Sequence, residues 1–537
     1  MSDLDEELRR RLTFAIISHP DSGKTTITEK LLLFGGAIHI AGAVKSGKNA
    51  KNSVSDFMEI EKERGISIST SVMGFEYNGR KVNLLDTPGH ADFSEDTYRG
   101  LSAVDSALLV IDSVKGVEDR TRQLCEVCRM RRTPIATFLN KLDREGKNPI
   151  ELLDETEREL AIGVRPVTWP IGQGKSFKGV YSLVEKKLIL FVPGQVQRPT
   201  DIIEIDDLSD PLLEQKVGHS LASKLREDVE LLSGVYPPFD LQEYLAGKAT
   251  PVFFGSAINN FGIRELLDTL TVLAPAPTPK AANERVVMPD EEKFSGFVFK
   301  ILANMNPMHR DRVAFLRVCS GKFERNKTYY HVRSGKPFRT ANPTAFMAQN
   351  SEVIDEAWPG DIVGIHDTGT FKIGDTVTEG EKINFKGIPN FAPHIFRYIV
   401  NADPEKEKQY HKGLDQLAEE GVVQIFSKPK QANVRVLGVV GQLQLEVIQY
   451  RMEHEYKSKC AYRHIDSTIA HWIASSDPKA LKTFVEENER RILVDIRGTN
   501  IFMSDSPWGF ERIKNAYPAI RFYTTSDMTE GRAENEE

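Results

Sequence analysis

Cysteine is scarce, with four in 537 residues. That leaves no disulfide framework and fits a reducing compartment. Cys125 and Cys128 form a C-x-x-C, but inside the helical pattern RTRQLCEVCRMRR and with no second pair nearby. Packing within a helix is expected of them, rather than metal or redox chemistry. No run of 18 apolar residues occurs, so no membrane span is expected. The N-terminal MSDLDEELRRR has no apolar stretch behind it long enough for a signal peptide. A cytoplasmic protein without membrane attachment is the expectation. Positive charge is not in excess: 77 acidic residues against 70 basic give a formal charge of -7. This argues against a free DNA-binding protein with a generally basic surface, while leaving local basic patches open. Repeats and low-complexity segments are also missing.

The length exceeds what one hydrophobic core organises and suggests three or four domains. TFAIIS (13–18), KVNLLD (81–86), SALLVID (106–112), TPIATFL (133–139) and PVFFGS (251–256) read as strands. Helices are expected at KTTITEKLLLF (24–34) and around 118–131. Strands and helices alternating at this spacing predict an α/β domain with a mostly parallel sheet and helices on both faces. The stretch 150–250 is less regular, with LVEKKLILF as one candidate strand, and reads as an insertion. LAPAPTPK (273–280) is a linker by composition, which ends the first domain near residue 282. From 290 to 385, short β-rich runs separated by glycine turns predict a small β-barrel. From 390 to 537, helical stretches (406–421, 441–456) mixed with strands (432–440, 460–465) predict an α+β domain.

The segment Ser18-His19-Pro20-Asp21-Ser22-Gly23-Lys24-Thr25, with Thr26 after it, fits a phosphate loop between a strand and a helix. Successive backbone N–H groups and the helix N-terminus cradle phosphates. Lys24 is placed for the β- and γ-phosphates and Thr25 for Mg²⁺. Ser18 stands where the general motif has its first glycine, which weakens the match taken alone. Asp86-Thr87-Pro88-Gly89-His90 follows a strand. Asp86 is placed to hold the Mg²⁺ shell through a water, and the Gly89 N–H to approach the γ-phosphate. That contact exists with GTP and not with GDP, a physical means of sensing hydrolysis. His90 either positions the attacking water or is a surface loop histidine. The polar segment 37–70 suits a mobile loop that orders around the nucleotide.

Asn140-Lys141-Leu142-Asp143 follows the strand TPIATFL. The Asp143 carboxylate can accept from guanine N1–H and the N2 amine, a donor pair adenine lacks. Asn140 can donate to N7, and the stem of Lys141 can lie over the base. Gly255-Ser256-Ala257 can present a backbone N–H to O6. Four such elements in order, each after a strand, point to GTP over ATP.

With RGISIST, DTPGH, NKLD and GSA, the chain resembles the translational GTPases. The long segments SHPDSGKTT (18–26), SDFMEIEKERGIS (55–67), LLDTPGHADFSEDTYR (84–99), VDSALLVIDSVKGVEDRTR (104–122), NKLDREGKNPIELLDE (140–155) and TWPIGQGKSFKGVY (168–181) are similar to the bacterial release factor 3 family. HRDRVAFLRVCSGKF (309–323) and GQLQLEV (441–447) resemble the second and third domains shared with elongation factor G. The length also favours the release factor, since elongation factor G carries two further domains. Small residues other than glycine are usual at Ser18 in this group.

The resemblance implies Ser67 as a second hydroxyl ligand to Mg²⁺. It implies His90 as the water-orienting residue, with Ile66 and Pro20 as an apolar gate. Asn140, Asp143, Ser256 and Ala257 match its guanine-binding set. The implied activity is that of a ribosome-stimulated GTPase (GTP to GDP and phosphate) whose GTP form promotes departure of class I release factors without reading the stop codon, hydrolysis then letting the protein itself leave. The ribosome, including its RNA, and class I release factors are the implied partners of a protein monomeric in solution. Another translational GTPase and a non-hydrolysing guanine-nucleotide module are the alternatives.

Overall fold

The computed structural model describes residues 3–38, 58–191, 201–205, 207–303, 312–347, 350–386, 391–466 and 469–526. Seven strands make the first sheet, in the order Ser71–Tyr77, Arg80–Asp86, Arg11–Ser18, Ser106–Asp112, Ile135–Asn140, Ala249–Phe254, Gly163–Pro166. All neighbours run parallel except the first pair. The strand Arg11–Ser18 is buried along its whole length, as a central strand covered on both faces must be. Phe14 and Ile16 pack on one face with the helices Lys24–Phe34 and Ile263–Leu273. Ala15 and Ile17 pack on the other, with Leu101, Leu124 and Leu152. Register sets Ile16 opposite Asp86, Ser18 opposite Val110 and Asp112 opposite Asn140. The carboxyl ends of these strands therefore come level at one edge, where ligands bind in open α/β sheets.

Residues 150–250 are more regular than their composition predicts. After the helix Pro149–Leu160, the strand Gly163–Pro166 joins the first sheet. Thr168–Ile171, Gly179–Ser182, Lys187–Leu190 and Asp201–Glu204 then form a four-stranded antiparallel sheet. It is anchored by Trp169, fully buried, whose indole N–H donates to Asp228 over 3.1 Å.

Residues 295–378 form an eight-stranded antiparallel sheet that curls around Phe294, Val298, Leu316 and Tyr329. Register shifts at Ser295/Gly296 and Val298/Lys300 bend its long central strand. Lys336–Arg339 and Asn350–Val353 remain as edges among the described residues, so the expected barrel is here a curled sheet. A further sheet, also eight-stranded and antiparallel, spans 395–523 and is covered by helices that include Glu407–Glu419 and Gln442–His454.

Buried ions join the seven-stranded sheet to the curled one. Arg317 and Lys280 meet Asp105, and Arg11 meets Asp361 at 2.7 Å. Among the described residues, no helix is long and apolar enough to cross a membrane.

Candidate functional site

A cleft of about 410 Å³ opens at the carboxyl edge of the first sheet. That is a volume of the kind small ligands occupy. Its lining includes residues 18–26, Ile66, Ser67, Gly89, His90, Asn140, Lys141, Asp143, Ser256 and Ala257. The segments singled out along 240 residues of chain thus come together.

The loop 18–24 turns through positive φ at Asp21 (64°) and Gly23 (95°). A Cβ on Gly23 would stand 2.4 Å from Asn140 Nδ2, so this position needs glycine for approach as well as conformation. The helix Lys24–Phe34 starts without a side-chain cap, which leaves its first amides for an anion. Asn140 ties this loop to the base end: its Nδ2 donates to Ser22 O over 2.8 Å and its Oδ1 accepts from Ala257 N over 2.9 Å. Lys141 Nζ donates to the Asp21 carbonyl and, over 2.8 Å, to Asp112 Oδ2. Ser256 Oγ donates to Asp143 Oδ1 over 2.5 Å.

Three expectations change in detail. The amides of Ser256 and Ala257 donate to Phe261 O and Asn140 Oδ1, so they are committed within the fold rather than open toward a base. The His19 ring is buried away from the phosphate side, against Thr121 Oγ1 at 3.4 Å and Glu118 Oε2 at 3.3 Å. Burial holds its pKa below the usual imidazole value, against the opposing pull of Glu118. Only the His19 backbone can serve a phosphate. Ser18 turns its hydroxyl back to His19 O over 2.9 Å.

At the phosphate end, Lys24 pairs with Asp86, both buried. Asp86 Oδ2 and Ser22 Oγ are buried with no hydrogen-bond partner among the described residues. An orphaned carboxylate oxygen is costly unless a ligand completes it. With the Thr25 and Ser67 hydroxyls on the cleft wall, the donor set is all oxygen and fits a hard cation such as Mg²⁺. Among the described residues, no cluster of three or more His, Cys, Asp or Glu is placed to hold a metal.

Gly89 lies against Pro20, with 3.5 Å from its Cβ position to Pro20 Cα. His90 is half-exposed, and its Nδ1 accepts from the Asp92 amide over 3.2 Å. Arg144, which follows the base-end motif, is the one arginine among the described residues that lines the cleft.

Of the expected mobile loop at 37–70, residues 39–57 lie outside the described residues. The rest is clamped. Glu61, fully buried in the helix Glu59–Arg64, accepts from the amides of Met58, Ile68 and Ser69. From the curled sheet, Lys300 donates to Ser69 Oγ and, over 2.6 Å, to Thr70 O.

Sequence reading missed Glu61, Lys300, Asp92 and Asp112. Asp112 alone carried a local signal, since it ends the strand beside Asn140. Cys125 and Cys128 are buried, as their helical pattern predicts, and burial pushes the Cys125 thiol up to about 12. The sequence leaves local basic patches open, but Arg451, in the basic stretch 451–463, is buried in ion pairs with Glu420 and Glu455. It is not available to a partner.

Family comparisons divide the chain into three. The model described as "Elongation factor Tu GTP binding domain" matches residues 9–276. "Elongation factor G domain 2" matches 293–380. "Class II release factor RF3, C-terminal domain" matches 385–514. A crystal structure of a protein from Thermus thermophilus superposes with a TM-score of 0.69 at 21% identity, covering 87% of this chain and 71% of that one. This is a likeness of fold.

Proposed function

We infer the working of the cleft from one premise: the chain belongs to the translational GTPases of the release factor 3 and elongation factor G family, and carries the class II release-factor type of C-terminal domain. It is a GTPase that acts on release factors. Its specific task in this reading is to promote dissociation of class I factors from the ribosome after peptide release, without reading the stop codon. The release-factor match over 385–514 carries this reading, because the GTP-binding domain alone is common to many factors. The division proposed is a GTP-binding domain over 1–282, a domain of the curled, half-barrel sheet over 290–385 and an α+β domain over 390–537.

In the proposed site, Lys24 and the amides of 21–26 hold the phosphates, and the Gly89 amide reads the γ-phosphate. Thr25, Ser67 and Asp86 would hold Mg²⁺. When bound, Mg²⁺ supplies charge neutralisation across the β- and γ-phosphates. Lys24 would serve the phosphate oxygens and the Asp86 carboxylate, which it meets here, would serve the cation. Asp143, Asn140 and Lys141 hold guanine, with Ser256 fixing one carboxylate oxygen of Asp143.

His90 orients the attacking water, and Pro20 and Ile66 wall its approach. No protein nucleophile is needed, since positioning and charge stabilisation suffice for phosphoryl transfer. Among the described residues the one cleft arginine, Arg144, lies at the base end, and a partner is proposed to add stabilisation on the γ-phosphate side. The ribosome, through its RNA, is the proposed activator.

The test is whether the protein with GTP speeds departure of a bound class I factor from post-termination ribosomes. Acceleration by the GTP form is the expected result, with His90→Ala keeping GTP affinity while slowing ribosome-stimulated hydrolysis. Ribosomes that neither stimulate hydrolysis nor lose the factor faster refute the reading.

A further inference from the structure

Just past His90, the chain enters the short turn Ala91–Phe93, and the N-terminus of the helix Gln442–His454 is seated on it. Asp92 touches both. Its backbone N–H donates to His90 Nδ1 over 3.2 Å, and its carboxylate Oδ1 lies 3.3 Å from the same nitrogen. Its Oδ2 accepts from the Leu443 amide over 2.8 Å. That amide is one of the first-turn donors a helix cannot satisfy internally, and a carboxylate there also meets the positive end of the helix dipole. Asp92 thus caps a helix about 350 residues away in sequence.

The seat is close. A Cβ placed on Gly441 would stand 2.0 Å from the Asp92 carboxyl carbon. Gly441 has φ −148°, extended backbone open to any residue, so what glycine supplies here is room for the carboxylate. The same helix packs Val447 and Leu443 against Phe93, Ile60 and Ile68. Its Glu446 pairs with Arg64 at 2.5 Å. It therefore lies on both segments that border the phosphate end of the cleft.

We propose that Asp92 is a positioning residue that links the orientation of the His90 imidazole to the seating of the helix Gln442–His454, so that the C-terminal region sets the competence of the hydrolytic site. With the helix seated, the Leu443 amide fixes the Asp92 carboxylate and the 90–93 turn with it. The Nδ1 side of His90 is then anchored while the residue lines the cleft. With the helix lifted, the carboxylate loses its partner and the ring its fixed seat. The inference rests on His90 being the water-orienting group.

The experiment measures GTP hydrolysis by the full chain, with and without ribosomes, in a mutant cycle. It uses Asp92→Ala, Gly441→Ala and the pair, each repeated with His90→Ala. Asp92→Ala and Gly441→Ala should each lower ribosome-stimulated kcat on the order of tenfold, the scale of a misplaced catalytic group, with KM and fluorescent-GTP affinity unchanged. The pair should be no worse than either alone, and neither should matter once His90 is alanine. Asp92→Asn, which keeps an oxygen for the Leu443 amide, should retain most of the rate.

Losses that add, or that persist in full in the His90→Ala background, overturn the proposal and leave the His90 reading intact. Unchanged hydrolysis in His90→Ala overturns the His90 reading instead, and this inference with it. Thermal unfolding midpoints identify any variant that fails to fold, and Gly441→Ala, remote from the nucleotide contacts, then carries the cycle alone.

Discussion

Replacing Asp105 by asparagine should loosen the curled sheet from the nucleotide domain by an amount that depends on pH. The carboxylate is 1% exposed. It accepts from Arg317, from Lys280 at 3.2 Å, and from the amide and hydroxyl of Thr278 at 3.0 and 2.7 Å. Burial pushes its pKa up, but the two cations and the Thr278 donors outweigh burial and hold it at about 2, against 3.8 for the free group. Because the folded value is the lower one, the stabilisation is present above the unfolded pKa and is lost as pH falls toward 2. A depression of roughly two units corresponds to about 2–3 kcal/mol at neutral pH. Asparagine leaves two buried cations without their anion, for which losses of about 3–5 kcal/mol are typical.

Calorimetry and urea unfolding of Asp105→Asn beside the unaltered chain should therefore show a gap of about 3 kcal/mol at pH 7 in the transition that separates the two regions. The titrating part of that gap should be nearly whole at pH 4 and about half gone at pH 3. Asparagine does not titrate, so the pH dependence of the gap isolates Asp105. A gap that stays constant from pH 7 to pH 3, or one below about 0.5 kcal/mol throughout, would refute the assignment of Asp105 as the ionic joint.

Asp143→Asn should weaken guanine nucleotides by about two orders of magnitude and shift preference toward xanthine, because an amide cannot accept from both N1–H and N2. Competition of GTP and XTP against a fluorescent nucleotide measures this, and an unchanged ratio would reject the base pocket. Lys300→Met removes the donor that holds Ser69 and Thr70 and leaves Asp96 buried without its cation. Hydrogen exchange at residues 65–70 should quicken, and unaltered exchange would mean that the clamp lies elsewhere. The Cys125 and Cys128 thiols, buried and pushed up in pKa, should resist a thiol reagent at pH 8 until the chain is unfolded. Rapid labelling of the native protein would contradict their packing.

The nucleotide cleft was legible in the sequence because its contacts are local. Each motif sits at a strand end, and parallel register alone brings those ends together. The curled sheet was visible as short runs between glycine turns, while its open edges depend on pairing that no local pattern encodes. The four-stranded sheet at 168–204 was obscured because its strands of four residues carry too little periodicity. Asp92, Lys300 and Glu61 were missed because each acts across a distance in chain or through the backbone. Asp92 caps a helix at 442 and Lys300 binds residue 70, pairings that only the packed domains create. His19 was assigned by its neighbours, yet its ring follows the helix Asp119–Arg131 rather than the phosphate loop.

Asn140 works as a fixed gauge. By holding Ser22 O and Ala257 N at once, it sets the spacing between the phosphate cradle and the base slot within the protein itself. A diphosphate and a triphosphate nucleoside meet the same preset spacing, so this wall of the cleft grips both alike. Any discrimination between substrate and product must then arise across the cleft, in segments 58–70 and 86–93. Those are the stretches that Lys300 and the helix Gln442–His454 hold from other parts of the chain. In the proposed function this division separates retention from timing: one wall would keep the nucleotide through the cycle, and the other would report its state to the rest of the molecule.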